Sequence, residues 1–393
     1  MEYYEVKLGD LFDITSGGTP SRNKNEYYED GTIPWIKTGD LKKKYLDKAS
    51  ENITELGLEK SSAKFFPKGT VLLAMYGATI GNCSILSIKA ASNQACAAFR
   101  PIKNVIPEYL YYYLLIKKIY LINRGVGGAQ PNISISILKE ITIPLISIEE
   151  QKKIVAILEK AQSLIEKRNE TIVKLDELVQ SLFLEMFGDP IVNSKKMNKV
   201  KLDKLGEWKS GGTPPRKKSE YYQGDIPWYS SGELNDVYIG DSVECISHKA
   251  IDETSAKLIE PGSLLLGMYD TAALKSSIST RECSCNQAIA FSKLNKELVS
   301  TLFVYYVIQL GRDHYKRQQR GVRQKNLNLT MIRNIEIILP SLEEQQEFVD
   351  LVEQIKQQKL TMQRSLAMLE NNFQSLLYQA FKGELKVNTE IIA

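Results

Sequence analysis

The chain repeats itself with a period of about 194 residues, and this duplication constrains its fold more than any other feature. The segment Gly17-Gly18-Thr19-Pro20 returns as Gly211-Gly212-Thr213-Pro214, and Ile33-Pro34-Trp35 returns as Ile226-Pro227-Trp228. Four further pairs follow in the same order: Met75-Tyr76 and Met268-Tyr269, Asn93-Gln94 and Asn286-Gln287, Gln130-Pro131-Asn132 and Gln324-Lys325-Asn326, Glu149-Glu150-Gln151 and Glu343-Glu344-Gln345. The protein is therefore an internal duplication of one unit.

Each copy begins with a mixed part. Short β-prone stretches, such as 70–75 and 97–100, alternate with Gly- and Pro-containing turns. One helix is predicted near 107–121, with a counterpart near 299–310. Strands and helices do not alternate regularly, so the pattern predicts an α+β domain and not a doubly wound sheet.

Each copy ends in a long helix. Ser147 with Glu150, and Ser341 with Glu344, have the spacing of a helix-capping box. Apolar residues then recur at spacings of three and four, without Gly or Pro, for about 40 residues, or about 60 Å of helix. Such an apolar stripe must be covered, and the nearest partner is the other copy. We therefore expect the two long helices to pair with each other as a coiled coil.

These features divide the chain into mixed domains at 1–148 and 191–342, helices at 149–190 and 343–384, and a tail at 385–393. The mixed domains hold 18 Lys and Arg against 14 Asp and Glu, and 22 against 16. The helices hold 6 against 9 and 4 against 7. The positive excess thus lies in two separate blocks, each of which could meet a polyanion such as DNA.

Composition excludes several other classes of protein. The hydrophobic fraction of 43% and charged fraction of 25% are those of an ordinary globular protein, and no apolar run is long enough to cross a membrane. The acidic N-terminus does not resemble a secretory signal, and five cysteines, an odd number, favour reduced thiols. We therefore expect a cytoplasmic protein without a membrane segment.

The motifs of catalytic sites are missing from the sequence. No glycine is followed by lysine, which excludes the usual phosphate-binding loop, and the only Pro-Pro pair, Pro214-Pro215, lacks a following aromatic residue. Cys283-Ser284-Cys285 has the wrong spacing for zinc, and the chain has only two histidines. The sequence predicts no catalytic, metal-binding or cofactor-binding residues.

Basic and amide residues in loops are the candidates for DNA contact. The stretch 312–325 has six Lys or Arg residues against the single acid Asp313. Arg and Lys bind phosphates or guanine edges, while Gln and Asn can read adenine. A solvated basic surface is the alternative interpretation. The candidate DNA-binding residues are Arg22, Lys24, Arg124, Gln130, Asn132, Arg216, Lys217, Lys218, Arg312, Lys316, Arg317, Arg320, Arg323, Gln324, Lys325 and Asn326.

The ordered motifs, each occurring twice, resemble the specificity subunit of type I restriction–modification enzymes over nearly the whole chain. The resemblance implies that 1–148 and 191–342 are target recognition domains, each reading one half of a split sequence in double-stranded DNA. It implies that the two long helices pack antiparallel as a coiled-coil spacer with pseudo-twofold symmetry and dock two modification subunits, which restriction subunits join. S-adenosylmethionine, ATP and Mg would belong to those partners, and the chain itself would be non-catalytic.

Two alternatives from other classes remain open at this point. The chain could be an enzyme in its own right, such as a fused nuclease or methyltransferase, or a coiled-coil scaffold that does not touch DNA. The missing catalytic motifs argue against the first, and the basic stretch 312–325 argues against the second. The half-site sequences, the spacer length and the distinction between base and phosphate contacts do not follow from the sequence.

Overall fold

The computed structural model describes residues 4–127, 131–317 and 326–385, and the chain divides into two compact units. Unit 1 comprises Met1–Asn169 and Arg364–Ala393, and unit 2 comprises Glu170–Gln363. Each unit therefore combines one mixed domain with parts of both long helices. All of the domain 1–148 lies in unit 1, and all of the domain 191–342 lies in unit 2.

The domain of unit 1 is built from short strands in three sheets. The strands are β1 (Tyr4–Lys7), β2 (Thr15–Ser16), β3 (Ile33–Ile36), β4 (Tyr45–Leu46), β5 (Glu51–Ile53), β6 (Phe65–Phe66), β7 (Val71–Ala74), β8 (Cys83–Leu86), β9 (Ala90–Ser92), β10 (Cys96–Phe99) and β11 (Thr142–Leu145). A five-stranded sheet has the order β2-β10-β7-β8-β4, a four-stranded sheet has the order β5-β3-β9-β6, and β1 pairs with β11. Only β3 with β9 and β4 with β8 are parallel among these pairs of described strands, which fits the predicted α+β class.

In the described residues, five short helices accompany these strands, and a sixth is long. They are α1 (Leu8–Leu11), α2 (Glu55–Glu59), α3 (Pro107–Ile116), α4 (Lys118–Asn123), α5 (Ile135–Lys139) and α6 (Ile148–Phe187). The single helix predicted near 107–121 is broken at Lys117, so that part of the prediction was wrong. The break allows Leu121 to be fully buried while Ile119 and Ile122 stay exposed.

Unit 2 repeats this plan with fewer strands among its described residues. They are β12 (Lys199–Lys201), β13 (Lys209–Ser210), β14 (Ile226–Tyr229), β15 (Glu244–Ile246), β16 (Leu264–Gly267), β17 (Ser276–Ile278), β18 (Ser284–Cys285), β19 (Ile289–Ser292) and β20 (Glu336–Ile338). The sheets are β13-β19-β16-β17, β15-β14-β18 and β12-β20. The helices are α7 (His248–Glu253), α8 (Thr301–Leu310), α9 (Arg312–Lys316), α10 (Leu329–Arg333) and the long α11 (Leu342–Lys382).

Both long helices begin at the predicted capping boxes. The Ser147 hydroxyl accepts a hydrogen bond from the backbone N–H of Glu150 at 3.2 Å, and Ser341 accepts one from Glu344 at 3.3 Å. The next residue, Gln151, is fully buried; its side chain accepts from the backbone N–H of Ile106 and donates to the carbonyl of Asn104. In the second copy, the backbone N–H of Ser300 donates the equivalent hydrogen bond to the side chain of Gln345. The repeated Glu-Glu-Gln motif therefore fixes the start of each long helix to the segment before α3 or α8.

In unit 1 the start of α6 packs beside the end of α11, against α3. Ile154 and Leu158 of α6 share one apolar core with Phe373, Leu377 and Phe381 of α11. The Phe381 ring lies 4.9 Å from Tyr109 and 5.2 Å from Tyr113 of α3, measured between ring centroids. The predicted antiparallel pairing is confirmed in this unit, but the apolar stripe is covered by the mixed domain as well as by the second helix.

In unit 2 the roles of the two helices are exchanged. Phe183 and Phe187 of α6 meet Phe348 of α11 and Phe303 of α8, with ring centroids between 5.0 and 5.7 Å apart. All four phenylalanines are fully buried. The end of α6 and the start of α11 thus complete the core of the second domain.

Candidate nucleic-acid interface

The motifs that occur twice in the sequence meet at one edge of the domain in unit 1. Gly-Gly-Thr-Pro follows β2, Met-Tyr follows β7, and Asn-Gln stands between β9 and β10. Because β10 pairs with both β2 and β7, these three turns are neighbours. The Gly18 N–H donates to Ser92 O at 2.9 Å, and the Met75 N–H donates to Ala95 O at 2.8 Å. Motifs up to about 80 residues apart in sequence therefore form one surface.

The loop between α4 and α5 joins the same edge. The backbone N–H of Ile133 donates to Met75 O at 2.9 Å, and that of Gly77 donates to Pro131 O at 2.8 Å. Asn132 also forms backbone bridges with Tyr76 and Val126. The loop that contains the candidates Arg124 and Asn132 is therefore held beside Tyr76.

Unit 2 builds the same edge with the second set of motifs. The Gly212 N–H donates to Cys285 O at 2.9 Å, and the Met268 N–H donates to Ala288 O at 2.8 Å. The Leu327 N–H donates to Met268 O at 2.7 Å, and Tyr269 forms a backbone bridge with Asn326. The candidate Asn326 thus occupies the position that Asn132 has in unit 1.

The Gly-Gly pairs serve close backbone packing. A Cβ atom added at Gly17 would lie 1.9 Å from Ser92 O, and one at Gly212 would lie 2.4 Å from Ser255 O, so only glycine fits. The Trp35 and Trp228 rings are buried, and each donates its indole N–H to the second glycine carbonyl at 3.0 Å. Both tryptophans therefore anchor the core of their domains.

Two neutral side chains project from this edge in each unit. Gln94 and Gln287 are exposed, and each accepts a hydrogen bond through Oε1 from the threonine of its Gly-Gly-Thr-Pro turn. Tyr76 is 43% exposed and Tyr269 is 37% exposed. None of the four was among our candidates. Their recurrence in both copies was the signal that could have singled them out.

Arg22 and Arg216 make the same contacts in their two units. Each forms a two-pronged ion pair with a carboxylate, Glu51 or Glu244, and hydrogen bonding from the arginine lowers the pKa of that carboxyl below its ordinary value. The Arg22 guanidinium also lies 4.4 Å from the centroid of the Tyr28 ring. About half of each side chain is exposed, so a phosphate would meet a positive charge that is already paired.

The lysines of the same loops have fewer strong partners. Lys24 and Lys218 each donate a hydrogen bond to a tyrosine hydroxyl, at 3.1 Å to Tyr27 and 2.9 Å to Tyr221. Lys217 is exposed. These three ammonium groups lie at the surface, where a phosphate could reach them.

The basic stretch of unit 2 is only partly within the described residues. Arg312 donates to the backbone carbonyls of Ala273 and Thr271, each at 3.0 Å, and so holds the turn that follows Tyr269. Lys316 is half-buried and Arg317 is exposed at the end of α9. The candidates outside the described residues are Gln130, Arg320, Arg323, Gln324 and Lys325.

The equivalent position in unit 1 is less basic. Arg124 is exposed just after α4, with its guanidinium 5.3 Å from the centroid of the Tyr120 ring. Around it Ile119 is 74% exposed and Val126 is 71% exposed. The two units therefore share one framework at this edge but present different side chains from the adjoining loop.

The described part of the chain gives little support for a catalytic or metal-binding site. Burial raises the pKa of the Cys83, Cys96 and Cys283 thiols to about 12, so these thiols are protonated at neutral pH. Residues 4–127, 131–317 and 326–385 contain no cluster of three or more His, Cys, Asp or Glu side chains suited to a metal ion. None of the helices found there has the length and apolar character needed to cross a bilayer.

One protein-family model matches this chain twice, once in each copy of the repeat. The model of the "Type I restriction modification DNA specificity domain" matches residues 1–175 and again residues 194–371. Each match covers one mixed domain and most of the long helix that follows it.

Similar proteins extend over the whole chain. The type I restriction enzyme MjaIX specificity subunit of Methanocaldococcus jannaschii is 28% identical over 413 residues, covering 97% of this chain and 93% of that protein. The EcoR124I/EcoR124II specificity subunit of Escherichia coli is 28% identical over 198 residues, covering 49% of each. A chain from a solved type I R-M system covers 98% of both chains with a TM-score of 0.70 at 18% identity, which shows a shared fold.

Proposed function

This chain belongs to the type I restriction–modification DNA specificity family, and from that premise we propose that its domains at 1–148 and 191–342 each read one half of a bipartite target in double-stranded DNA. As a specificity subunit, the chain is not itself the catalyst. One observation carries the proposal for the two domains. Both build the same motif edge, yet the loop beside that edge differs in charge and in apolar character between them.

The difference between the loops fits two half-sites of different sequence. The sequence of unit 2 between α8 and α10 includes the basic stretch 312–325, whereas the sequence of unit 1 between α3 and α5 includes exposed apolar residues and three glycines, Gly125, Gly127 and Gly128. Guanidinium and amide groups read base edges through hydrogen bonds, while apolar groups contact the thymine methyl. Two frameworks of one design with different loops would therefore select different bases.

A type I specificity subunit works within an assembly that also contains methyltransferase and restriction subunits. For this chain we infer that two modification subunits dock on α6 and α11. Large apolar side chains are exposed on both helices, with exposed fractions of 50% for Leu164, 47% for Leu178 and 66% for Met368. S-adenosylmethionine, ATP and Mg would then be bound by the partner subunits, and this chain would need no cofactor.

The basic stretch 312–325 tests the proposal directly. The triple variant Arg317→Ala, Arg320→Ala and Arg323→Ala, assembled with its modification subunits, is expected to bind DNA more weakly. If all three side chains meet phosphates, the slope of log K against log salt falls by up to about three units. A side chain that reads guanine instead costs about 1–3 kcal/mol at a single base pair of the second half-site. Fluorescence anisotropy at several salt concentrations measures both effects.

A matched control removes three positive charges at the ends of the sheets opposite the motif edge. Lys68 precedes β7, while Lys103 and Lys296 follow β10 and β19; all three are exposed, so their replacement by Ala lowers the net charge equally without altering the motif edge. The control is expected to keep most of the affinity and the salt slope. Unchanged binding and an unchanged slope in the arginine variant would mean that 312–325 is only a solvated surface.

A further inference from the structure

The duplication separates two kinds of DNA contact. On the proposed function, on which this inference rests, the two domains read different half-sites. A side chain that both domains hold in the same place cannot distinguish those half-sites. It suits contacts that every DNA sequence offers, which are contacts to phosphate and sugar.

We propose that Gln94 and Gln287, together with Tyr76 and Tyr269, bind the sugar–phosphate backbone of DNA in the same way in both domains. They form one neutral anchor per domain, beside the loop that reads the bases. The anchor sets the position of the domain on the duplex, and the loop then meets the base edges in a fixed register.

The geometry of the glutamines suits a phosphate oxygen. The threonine hydroxyl of the Gly-Gly-Thr-Pro turn donates to Oε1, which leaves the amide Nε2 with its two N–H donors. In the residues that the structure describes, no acceptor takes a hydrogen bond from Nε2 of Gln94 or Gln287. The backbone below is fixed, since the preceding residue, Asn93 or Asn286, donates its N–H to the end of β3 or β14 at 2.9 Å.

The tyrosines stand on the same framework. Tyr76 directly follows Met75, whose N–H and carbonyl are both bonded to neighbouring segments at 2.8 and 2.9 Å. Met268 makes the equivalent bonds at 2.8 and 2.7 Å below Tyr269. Each ring therefore projects from a rigid strand end with more than a third of its surface exposed. A phenol in this position offers a hydroxyl to a phosphate and an apolar face to a deoxyribose.

A backbone contact by a neutral group has its own experimental signature. Removing it weakens binding to every DNA sequence by the same factor. The salt slope stays constant, because no counterion is released by an uncharged side chain. Loss of a base-reading side chain weakens binding to the target alone, and loss of an arginine or lysine lowers the slope.

The experiment uses the full chain with its modification subunits and two labelled duplexes. One duplex contains the target found by sequencing methylated adenines in the host genome, and the other contains both half-sites shuffled. Gln94→Ala and Gln287→Ala are each expected to weaken binding about threefold to tenfold on both duplexes, which is the effect of one lost hydrogen bond. Tyr76→Ala and Tyr269→Ala are expected to act in the same direction. The salt slope should not change in any of the four.

Two further variants make the result specific. Gln94→Glu has the same size but places a carboxylate near the phosphate, so its loss of affinity should exceed that of Gln94→Ala on both duplexes. Asn198 is exposed in the segment between α6 and β12, and Asn198→Ala should leave binding unchanged. Thermal melting of each variant confirms that the domains stay folded.

The results that would refute this inference differ from the result that would refute the proposed function. A loss confined to the target duplex would mean that Gln94 or Tyr76 reads a base, and equal binding by variant and parent would mean no contact; either result refutes the anchor. If the parent complex itself fails to prefer the target duplex, the proposed function fails instead.

Discussion

Cutting the chain after Pro190 should turn one protein into a symmetric dimer. The fragment 1–190 keeps the first mixed domain and all of α6 but lacks α11. In the intact chain, residues 364–393 belong to unit 1, so the first domain loses part of its core. The fragment also keeps the end of α6, whose apolar side chains lie in unit 2 of the intact protein.

The size of the loss follows from the buried side chains. Phe373, Leu377 and Phe381 are at most 9% exposed in unit 1. Burying one large apolar side chain stabilises by about 1.5–3 kcal/mol, so the three together contribute about 5–9 kcal/mol. A domain has a free energy of unfolding of only about 5–15 kcal/mol, so a monomeric fragment would be marginal at best.

A second copy of the fragment can replace what was removed. The equivalent positions in unit 2 are taken by three residues of α6, Val179, Phe183 and Phe187, which come about 194 residues earlier in the sequence. Each of them is at most 7% exposed. The end of α6 from one copy can therefore cover the first domain of the other, and the exchange is reciprocal about a twofold axis. We expect a homodimer that, with modification subunits, methylates a palindrome made of the first half-site twice.

Light scattering on the purified fragment gives its mass, and sequencing of methylated adenines gives its target. Phe183→Asp should abolish the dimer, because it places a charge in the core that the partner copy would cover. Val173→Asp is the control for light scattering, since Val173 is 57% exposed on the same helix and should tolerate the change. A folded, stable monomer would refute the assignment of the α6 end to a domain core, and a non-palindromic target would refute the symmetry.

Two other predictions concern the spacer and the ion pairs. Inserting four residues after Asn169 adds about 6 Å of helix and should lengthen the gap between half-sites by about two base pairs, given 3.4 Å per base pair; altered half-sites with an unaltered gap would contradict this. Hydrogen bonding from Arg22 lowers the pKa of Glu51 in the folded protein below its value in the unfolded chain. The ion pair therefore stabilises the fold above the unfolded pKa, and this stabilisation is lost as the pH falls through the folded pKa. Arg22→Gln should therefore cost about 0.2–1 kcal/mol at neutral pH and less in acid; urea melts showing the same loss at both pH values would argue against the ion pair.

Local sequence signals predicted the regular parts of this fold well. The capping boxes at Ser147 and Ser341 and the long apolar repeat define the helices, because both patterns depend on residues close together in the chain. The break at Lys117 was missed for the opposite reason. The break accompanies the burial of Leu121 in the domain core, and residues distant in sequence form that core.

In the candidate site, too, contacts with residues distant in sequence could not be predicted. Lys and Arg residues identify a basic loop, but the sequence does not show which of them are already engaged. Arg312 holds the carbonyls of a turn, and the stacked ion pair of Arg22 uses much of its charge within the domain. Lys44 is a stronger case, because its side chain is only 9% exposed, beside Glu159 and over the Tyr112 ring. None of these contacts joins residues that are neighbours in sequence.

The apolar repeat of the helices could not reveal what covers it, because any apolar partner satisfies the same spacing. The structure shows that the ends of α6 and α11 are core elements of the mixed domains, with Ile154 and Phe183 fully buried in different units. A domain fixed to a helix in this way cannot swivel on it without opening its own core. Residues near Asn169, by contrast, contribute no buried side chain to either core. This is why we expect an insertion at Asn169 to change the spacing of the half-sites while the half-sites themselves stay the same.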